Sequence, residues 1–462
     1  MSQRVTPRRR SNCRVTLAAL PVVGGEEADP MADVAGSAKE WGFATRQLHA
    51  AGVKDALHAR RTPIYLTAGF GFDSFEEGRE RFAGADGYTY TRVGNPTTDA
   101  VERRLAALEG GVEALVIGSG QAAITVALLA LVSAGDHVVA AASLYEGTRN
   151  LLLENLARLG ITTTFVADAG DSSAWAAAIT ERTRAVLIEP IPNPRNDLVD
   201  IGLVADVAHR AGVPLVVDNT FATPYLLRPI EHGADVVVHS ASKFLAGHGA
   251  VIAGVVVDAG RFDWTARPEA FPHLAADGPD SARAFLRYAR DVVAARMGPT
   301  VSPLTSFLLE QGLETLSLRV RHQSRSALRI ARWLERRPEV ASVDYSGLAS
   351  SPSHALARRI LPLGQGSVFS FTLRGGEEAA RRFSDALAVF TRMTHLGDVR
   401  SLVLHPASTT HTGRPAEQLA AAGIGPGLLR LSIGIEDVQD LLADLAHGLD
   451  AVTLPRVLAE AS

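Results

Sequence analysis

Lysine is scarce in this chain, and one lysine sits where an amine can do chemistry. Of 462 residues, 46 are basic, yet lysine appears only as Lys39, Lys54 and Lys243; arginine supplies the rest. A guanidinium stays protonated, whereas a primary amine can lose its proton and attack a carbonyl. Lys243 lies in VVVHSASKFLAGHG, just past an apolar run and flanked by Ser240 and Ser242. Two hydroxyls beside a lone amine suit a phosphorylated aldehyde: the hydroxyls bind phosphate and the amine forms a Schiff base, as in pyridoxal phosphate chemistry. The alternative is a surface lysine in a serine-rich loop. Asp218 ends the apolar run of PLVVDNTFATP, where an acid is costly unless paired. Against a pyridine nitrogen it would keep the ring protonated; the plainer alternative is a turn cap.

A third segment, ALVIGSGQAAITVALLAL, reads as a strand, a Gly-Ser-Gly turn and a helix opening at about Gln121. Free N–H groups in a first helical turn bind anions, phosphate among them. Gly118, Gly120 and Ala123 also match the dinucleotide pattern G-x-G-x-x-A, with Glu146 as a ribose acid. That alternative, a nicotinamide-dependent dehydrogenase, leaves Lys243, Asp218 and Arg430 without roles. A third alternative is a catalytically dead binding protein, which would have lost one of the cofactor contacts.

These residues need a scaffold, and the patterning supplies one. The β-rich runs EALVIGSG, HVVAAASLY, TTTFVAD, RAVLIEP, VPLVVDNT, ADVVVHSAS and AVIAGVVVDA alternate with helical stretches. Runs apolar on both faces predict a mostly parallel sheet covered by helices, an α/β domain over 95–293. Its ligand site belongs at the carboxyl ends of the strands. Residues 265–300 read as irregular. From 294 to 462, helical stretches mix with strand-like SVFSFTL and LLRLSIGIED, which predicts a smaller α+β domain. Residues 1–40 read as a disordered tail.

Composition excludes several classes. The net charge is −4, with 21% charged and 47% hydrophobic residues, which disfavours a nucleic-acid binder and favours a real core. No apolar run reaches the ~18 residues a membrane helix needs. The single cysteine, Cys13, excludes intrachain disulfides and Cys-rich metal motifs, and points to a reduced, cytoplasmic compartment.

The segments GYTYTRVGNPTTDAVERRLAALEGG, SGQAAI, SLYEGT, VVDNTFATPYLLRPIEHGADVVVHSASKFLAGHG, LVLHPASTTH and GLLRLSIGIED, in order over about 43–450, resemble the Cys/Met-metabolism family of pyridoxal phosphate enzymes. NPTTDAVERR, VVVDAGRFDW, GLETLSLR and LGDVRSLVLHPASTTH resemble its O-acetylhomoserine sulfhydrylase branch. SLYEGT carries Gly147 where γ-lyases of methionine typically have cysteine.

The resemblance implies fold type I, pyridoxal 5'-phosphate as cofactor, no metal, and γ-substitution of an amino-acid ester by sulfide or a thiol. By the same resemblance Lys243 forms the Schiff base and Asp218 binds the pyridine nitrogen. Tyr145 stacks on the ring. Gly120, Gln121, Ser240 and Ser242 hold the phosphate. Asn193 lies near the ring hydroxyl and the substrate, and Arg430 clamps the substrate carboxylate. Residues 41–94 become an arm that touches a neighbouring subunit, with Tyr90 and Arg92 reaching that subunit's phosphate site in a homotetramer. Two departures stand out. Pro192 precedes Asn193, and His395 occupies a place where small polar residues are usual, either lining the pocket or facing solvent.

Overall fold

The computed structural model describes residues 41–50, 57–276 and 282–453. The expected tail lies outside them. The first sheet contains β1 (Glu113–Ile117), β2 (His137–Ala141), β3 (Thr162–Val166), β4 (Thr183–Ile188), β5 (Leu215–Asp218), β6 (Val236–Ser240) and β7 (Gly254–Asp258). Their order is β1-β7-β6-β5-β4-β2-β3. From β3 to β6 every pairing is parallel, and β7 runs antiparallel between β6 and β1. The sequence dictates this burial. Val216, Val217, Val236, Val237, Val238, Val255, Val256 and Val257 are all fully buried, which needs cover on both faces. Helices such as Gly120–Leu129 and Ile201–Arg210 provide it. Only β3, at the edge, alternates exposed and partly buried residues until Val166, in keeping with its threonines.

The second sheet contains β8 (Val340–Asp344), β9 (Val368–Leu373), β10 (Thr391–Arg392), β11 (Leu402–Leu404) and β12 (Leu428–Ser432), in the order β10-β11-β12-β9-β8. Its core gathers Phe369, Phe371, Phe383, Leu429, Leu431, Leu441 and Leu445. Leu429 and Leu431 enter this core. The two-residue period of a strand therefore sends Arg430, between them, to the opposite face.

The helix Leu316–Leu334 joins the two halves. Leu316 and Val320 belong to the first core, Ala327, Ile330, Ala331 and Leu334 to the second. Residues 265–300 correct the reading of the sequence. Pro272–Ala275 forms a short helix, and Ala284–Met297 is a helical run with a π-helical stretch at Ala289–Ala294. Ala284, Phe285, Leu286, Ala289, Val293 and Ala294 bury against the first core, and this tertiary burial outweighs the loop-like Pro and Gly around them. The boundary drawn at 293 falls within that run.

Candidate active site

Strand order brings the chemistry together. The carboxyl ends of β4, β5 and β6 are neighbours, so Glu189, Asp218 and Ser240 emerge side by side, with Lys243 three residues further on. The backbone N–H of Ser240 donates to Thr220 Oγ1 at 2.8 Å, and the Thr220 hydroxyl donates to Asp218 Oδ1. One threonine therefore ties the acid to the serine.

The helix Gly120–Leu129 points its amino end at the same place. Ser119 caps it, accepting from Ala122 N at 3.0 Å. The Gly120 and Gln121 N–H groups lie in the first turn, where no partner exists within the helix. A Cβ on Gly120 would stand 2.6 Å from Ser240 Cβ, so glycine lets the helix end meet Ser240. We expect Gly120→Ala to weaken pyridoxal phosphate binding by ~5–150-fold, the range of an overpacking cost of about 1–3 kcal/mol. A cofactor titration of the apo-protein measures it. Gln121 Nε2 donates to Gly147 O at 3.1 Å. The Ser242 hydroxyl lies against the Ala253 backbone, donating to its O at 3.2 Å and accepting from its N at 3.0 Å.

Burial pushes the Lys243 amine down to about 8, and the Arg430 charge adds to the effect. The loop after it is clamped. Arg319 donates to Phe244 O at 2.8 Å and Gly312 O at 2.7 Å. Asp218 is half-buried and accepts only from Thr220, through N–H at 3.0 Å and through the hydroxyl. Burial raises its pKa, while Thr220 and His239 oppose the rise. A half-buried carboxylate with no cationic hydrogen-bond partner fits a protonated pyridine nitrogen. With the amine and the free N–H groups, it makes these residues a fitting site for pyridoxal phosphate.

Arg430 is 4% exposed. It donates to Asn193 Oδ1 at 3.3 Å, Thr394 O at 3.3 Å and His395 O at 3.1 Å. Desolvation lowers it to about 10, which leaves it cationic. His395 lines the pocket: its Nδ1 is 3.0 Å from Lys243 Nζ. Tyr145 is 48% exposed at the mouth. A Cβ on Gly147 would stand 2.5 Å from Tyr145 Cε1, so glycine there makes room for this ring position.

Reading the sequence missed Glu189. It is buried, accepts from Tyr145 N at 2.6 Å, and is raised well above the usual carboxylate range by burial and by Asp218. Its signal was an acid ending the apolar run RAVLIEP, as Asp218 ends its own. Thr220 was missed as well. Tyr90 and Arg92 are not part of this cluster within the chain. Arg92 lies over the Tyr90 ring, 5.6 Å from its centroid, and donates to Ala295 O. Glu146 is held by Arg414, with Nε at 3.0 Å, which removes it from a ribose-binding role.

Residues 44–450 match the family of Cys/Met metabolism PLP-dependent enzymes. The chain belongs to this family. O-acetyl-L-homoserine sulfhydrylase of Corynebacterium glutamicum is 43% identical over 432 residues, 90% of this chain and 98% of that protein. L-methionine gamma-lyase of Porphyromonas gingivalis is 42% identical over 413 residues, 89% of this chain and 98% of its own length. A solved chain from Campylobacter jejuni, assigned as an O-acetylhomoserine (thiol)-lyase, superposes with a TM-score of 0.83 at 33% identity. It covers 89% of this chain and 100% of that one, and it contains N'-pyridoxyl-lysine-5'-monophosphate. Membership in the Cys/Met metabolism family makes the enzyme PLP-dependent and replaces the dehydrogenase alternative. Among the described residues no helix is long and apolar enough to cross a membrane.

Proposed function

We propose that the enzyme catalyses γ-substitution on O-acetyl-L-homoserine. Sulfide replaces acetate at Cγ to give L-homocysteine, and methanethiol gives methionine. The observation that carries this reading is a buried guanidinium, Arg430, beside a lone amine, Lys243. That pair recognises an α-amino acid and moves its protons. The sulfhydrylase relatives supply the acyl-ester class.

Bound pyridoxal phosphate supplies an aldehyde for amines and an electron sink for charge developing at Cα. The protein does the rest. Gly120, Gln121, Ser240 and Ser242 would hold the cofactor's phosphate, Asp218 would keep a proton on its pyridine nitrogen, and Tyr145 would cover its ring. Arg430, steadied by Asn193, takes the substrate carboxylate as a bidentate pair. Lys243 takes the Cα proton and then moves protons at Cβ. Acetate departs from Cγ, sulfur bonds to the same carbon, and the protons return. Orientation is the main contribution. Steady-state rates with O-acetyl- and O-succinyl-L-homoserine, each with sulfide, methanethiol and cysteine, test the reading. The acetyl ester with sulfide is expected to give the highest kcat/KM. Preference for the succinyl ester would overturn the choice of acyl group.

We also propose a homotetramer of dimers that share active sites, in a reducing, cytoplasmic setting. Support comes from the arm over 41–94. Leu66, Phe75 and Phe82 are 72%, 81% and 78% exposed, apolar surface of the kind subunit contacts cover. Tyr90 and Arg92 lie on the same arm, away from Lys243. Mixing Arg92→Ala with Lys243→Ala under subunit exchange gives mixed dimers with one intact site. Activity is expected to return to about one quarter of wild type, since half the dimers are mixed and half their sites intact. No recovery, with exchange verified by mass spectrometry and an inactive Arg92→Ala parent, would contradict shared sites.

A further inference from the structure

His395 is held against Lys243 by its surroundings. Its carbonyl accepts from Arg430 Nη2 at 3.1 Å. Two residues on, a Cβ on Gly397 would stand 2.7 Å from Phe244 N, so glycine lets this loop press on the Lys243 loop. Gly397 N donates to Ser432 Oγ at 2.9 Å, and Val399 N donates to Gly247 O at 2.9 Å. The imidazole therefore sits on a segment pinned to β12 and to the turn after Lys243. Its Nδ1 reaches Nζ at 3.0 Å, and its Nε2 is buried without a hydrogen-bond partner.

We propose that His395 is a positioning residue for the Lys243 amine: its Nδ1 accepts a hydrogen bond from Nζ and aims that nitrogen at the substrate carbon whose proton it takes. The proposal rests on Lys243 being the base of the reaction given above. No proton passes to the imidazole. Nζ takes the Cα proton, keeps it as an ammonium hydrogen-bonded to Nδ1, and returns it.

The groups around the pair agree. Burial, the Lys243 charge, Arg430 and Arg400 push His395 down to about 4, against Asp398. Lys243 faces Arg430, which lowers it further. Between about pH 4 and 8 the imidazole is therefore neutral and the free lysine is charged, which makes Nδ1 an acceptor and Nε2 the protonated nitrogen. A lysine side chain has four rotatable bonds, and proton transfer needs the donor and acceptor atoms about 3 Å apart and aligned. A fixed acceptor removes much of that freedom.

The test compares His395→Phe, which fills the space without an acceptor, with His395→Asn, which returns one. His395→Leu is a second side chain without an acceptor if the phenylalanine variant does not fold. In the cofactor-free protein, trace acetylation followed by mass spectrometry gives the pH midpoint of Lys243, one of only three lysines. Losing a hydrogen bond to the charged form is expected to lower that midpoint by about one unit in the Phe or Leu variant. In the loaded enzyme, Cα–H exchange of L-norvaline in D2O is expected to slow by about ten-fold. The half-saturating norvaline concentration should stay within about two-fold, since Arg430 still holds the carboxylate. The Asn variant is expected to recover most of both effects. Norvaline has no leaving group, so exchange reports on Lys243 even if the acyl-ester reading fails. An unchanged midpoint and exchange rate in the Phe and Leu variants, or an Asn variant that behaves like them, would overturn the proposal.

Discussion

Lys243→Ala is expected to reduce turnover by at least ~10⁴-fold, because the same nitrogen serves as nucleophile and as base. The holoenzyme's absorption near ~420 nm, which a lysine–pyridoxal linkage gives, is expected to vanish with it. Lys39 lies outside the described residues and Lys54 likewise, so nothing in the described site offers a second amine. Lys243→Arg is expected to fail equally. It keeps a positive charge near Arg430 but cannot condense with an aldehyde. Measuring both variants by sulfide-dependent turnover and by visible spectrum separates loss of chemistry from loss of fold. Turnover within ten-fold of wild type in either variant would remove Lys243 from the centre of the account.

The second large effect falls on Arg430. Arg430→Lys keeps the charge but loses the planar fork that meets a carboxylate with two hydrogen bonds. It also leaves Asn193 Oδ1 and the carbonyls of Thr394 and His395 short of donors. The expected outcome is a fall of ~100-fold in kcat/KM for the amino-acid ester, from about 3 kcal/mol of charge-assisted hydrogen bonding. The cofactor spectrum is expected to persist, since no phosphate or ring contact passes through Arg430. Initial rates over a range of ester concentrations, beside the spectrum, check both statements.

Much of the first sheet was legible because its strands are long runs of β-branched residues between turn formers. VVVHS and GVVVD admit few other structures. The two-residue β10 and three-residue β11 are too short to show a period; β11 forms against β12 and β10 against β11. The helix at Ala284–Met297 was hidden by the proline- and glycine-rich stretch before it; its burial partners are distant in sequence. In the site, Lys243 stood out by residue type and position, whereas Asp218 alone reads as a turn cap and gained its role from ending a strand near Lys243. The roles of Arg430, Asn193 and Tyr145 came through the resemblance, because an isolated arginine or tyrosine carries no local signal. Ser242 read as a phosphate ligand from its place beside Lys243, whereas its contact with the Ala253 backbone, eleven residues on, carries no local signal. Glu189 was readable by the rule applied to Asp218, whereas the His395–Lys243 contact spans 152 residues and no local pattern encodes it.

Product analysis tests the central claim most directly. The holoenzyme is incubated with O-acetyl-L-homoserine and sulfide, and homocysteine, acetate and 2-oxobutyrate are quantified over time. The expected result is homocysteine and acetate in equal amounts, with little 2-oxobutyrate, as substitution at Cγ requires. Gly147, where a side chain would press on Tyr145, distinguishes this pocket from the γ-lyase pattern in the sequence and accords with that outcome. Release of 2-oxobutyrate as the main product in the presence of sulfide, or no release of acetate, would contradict it.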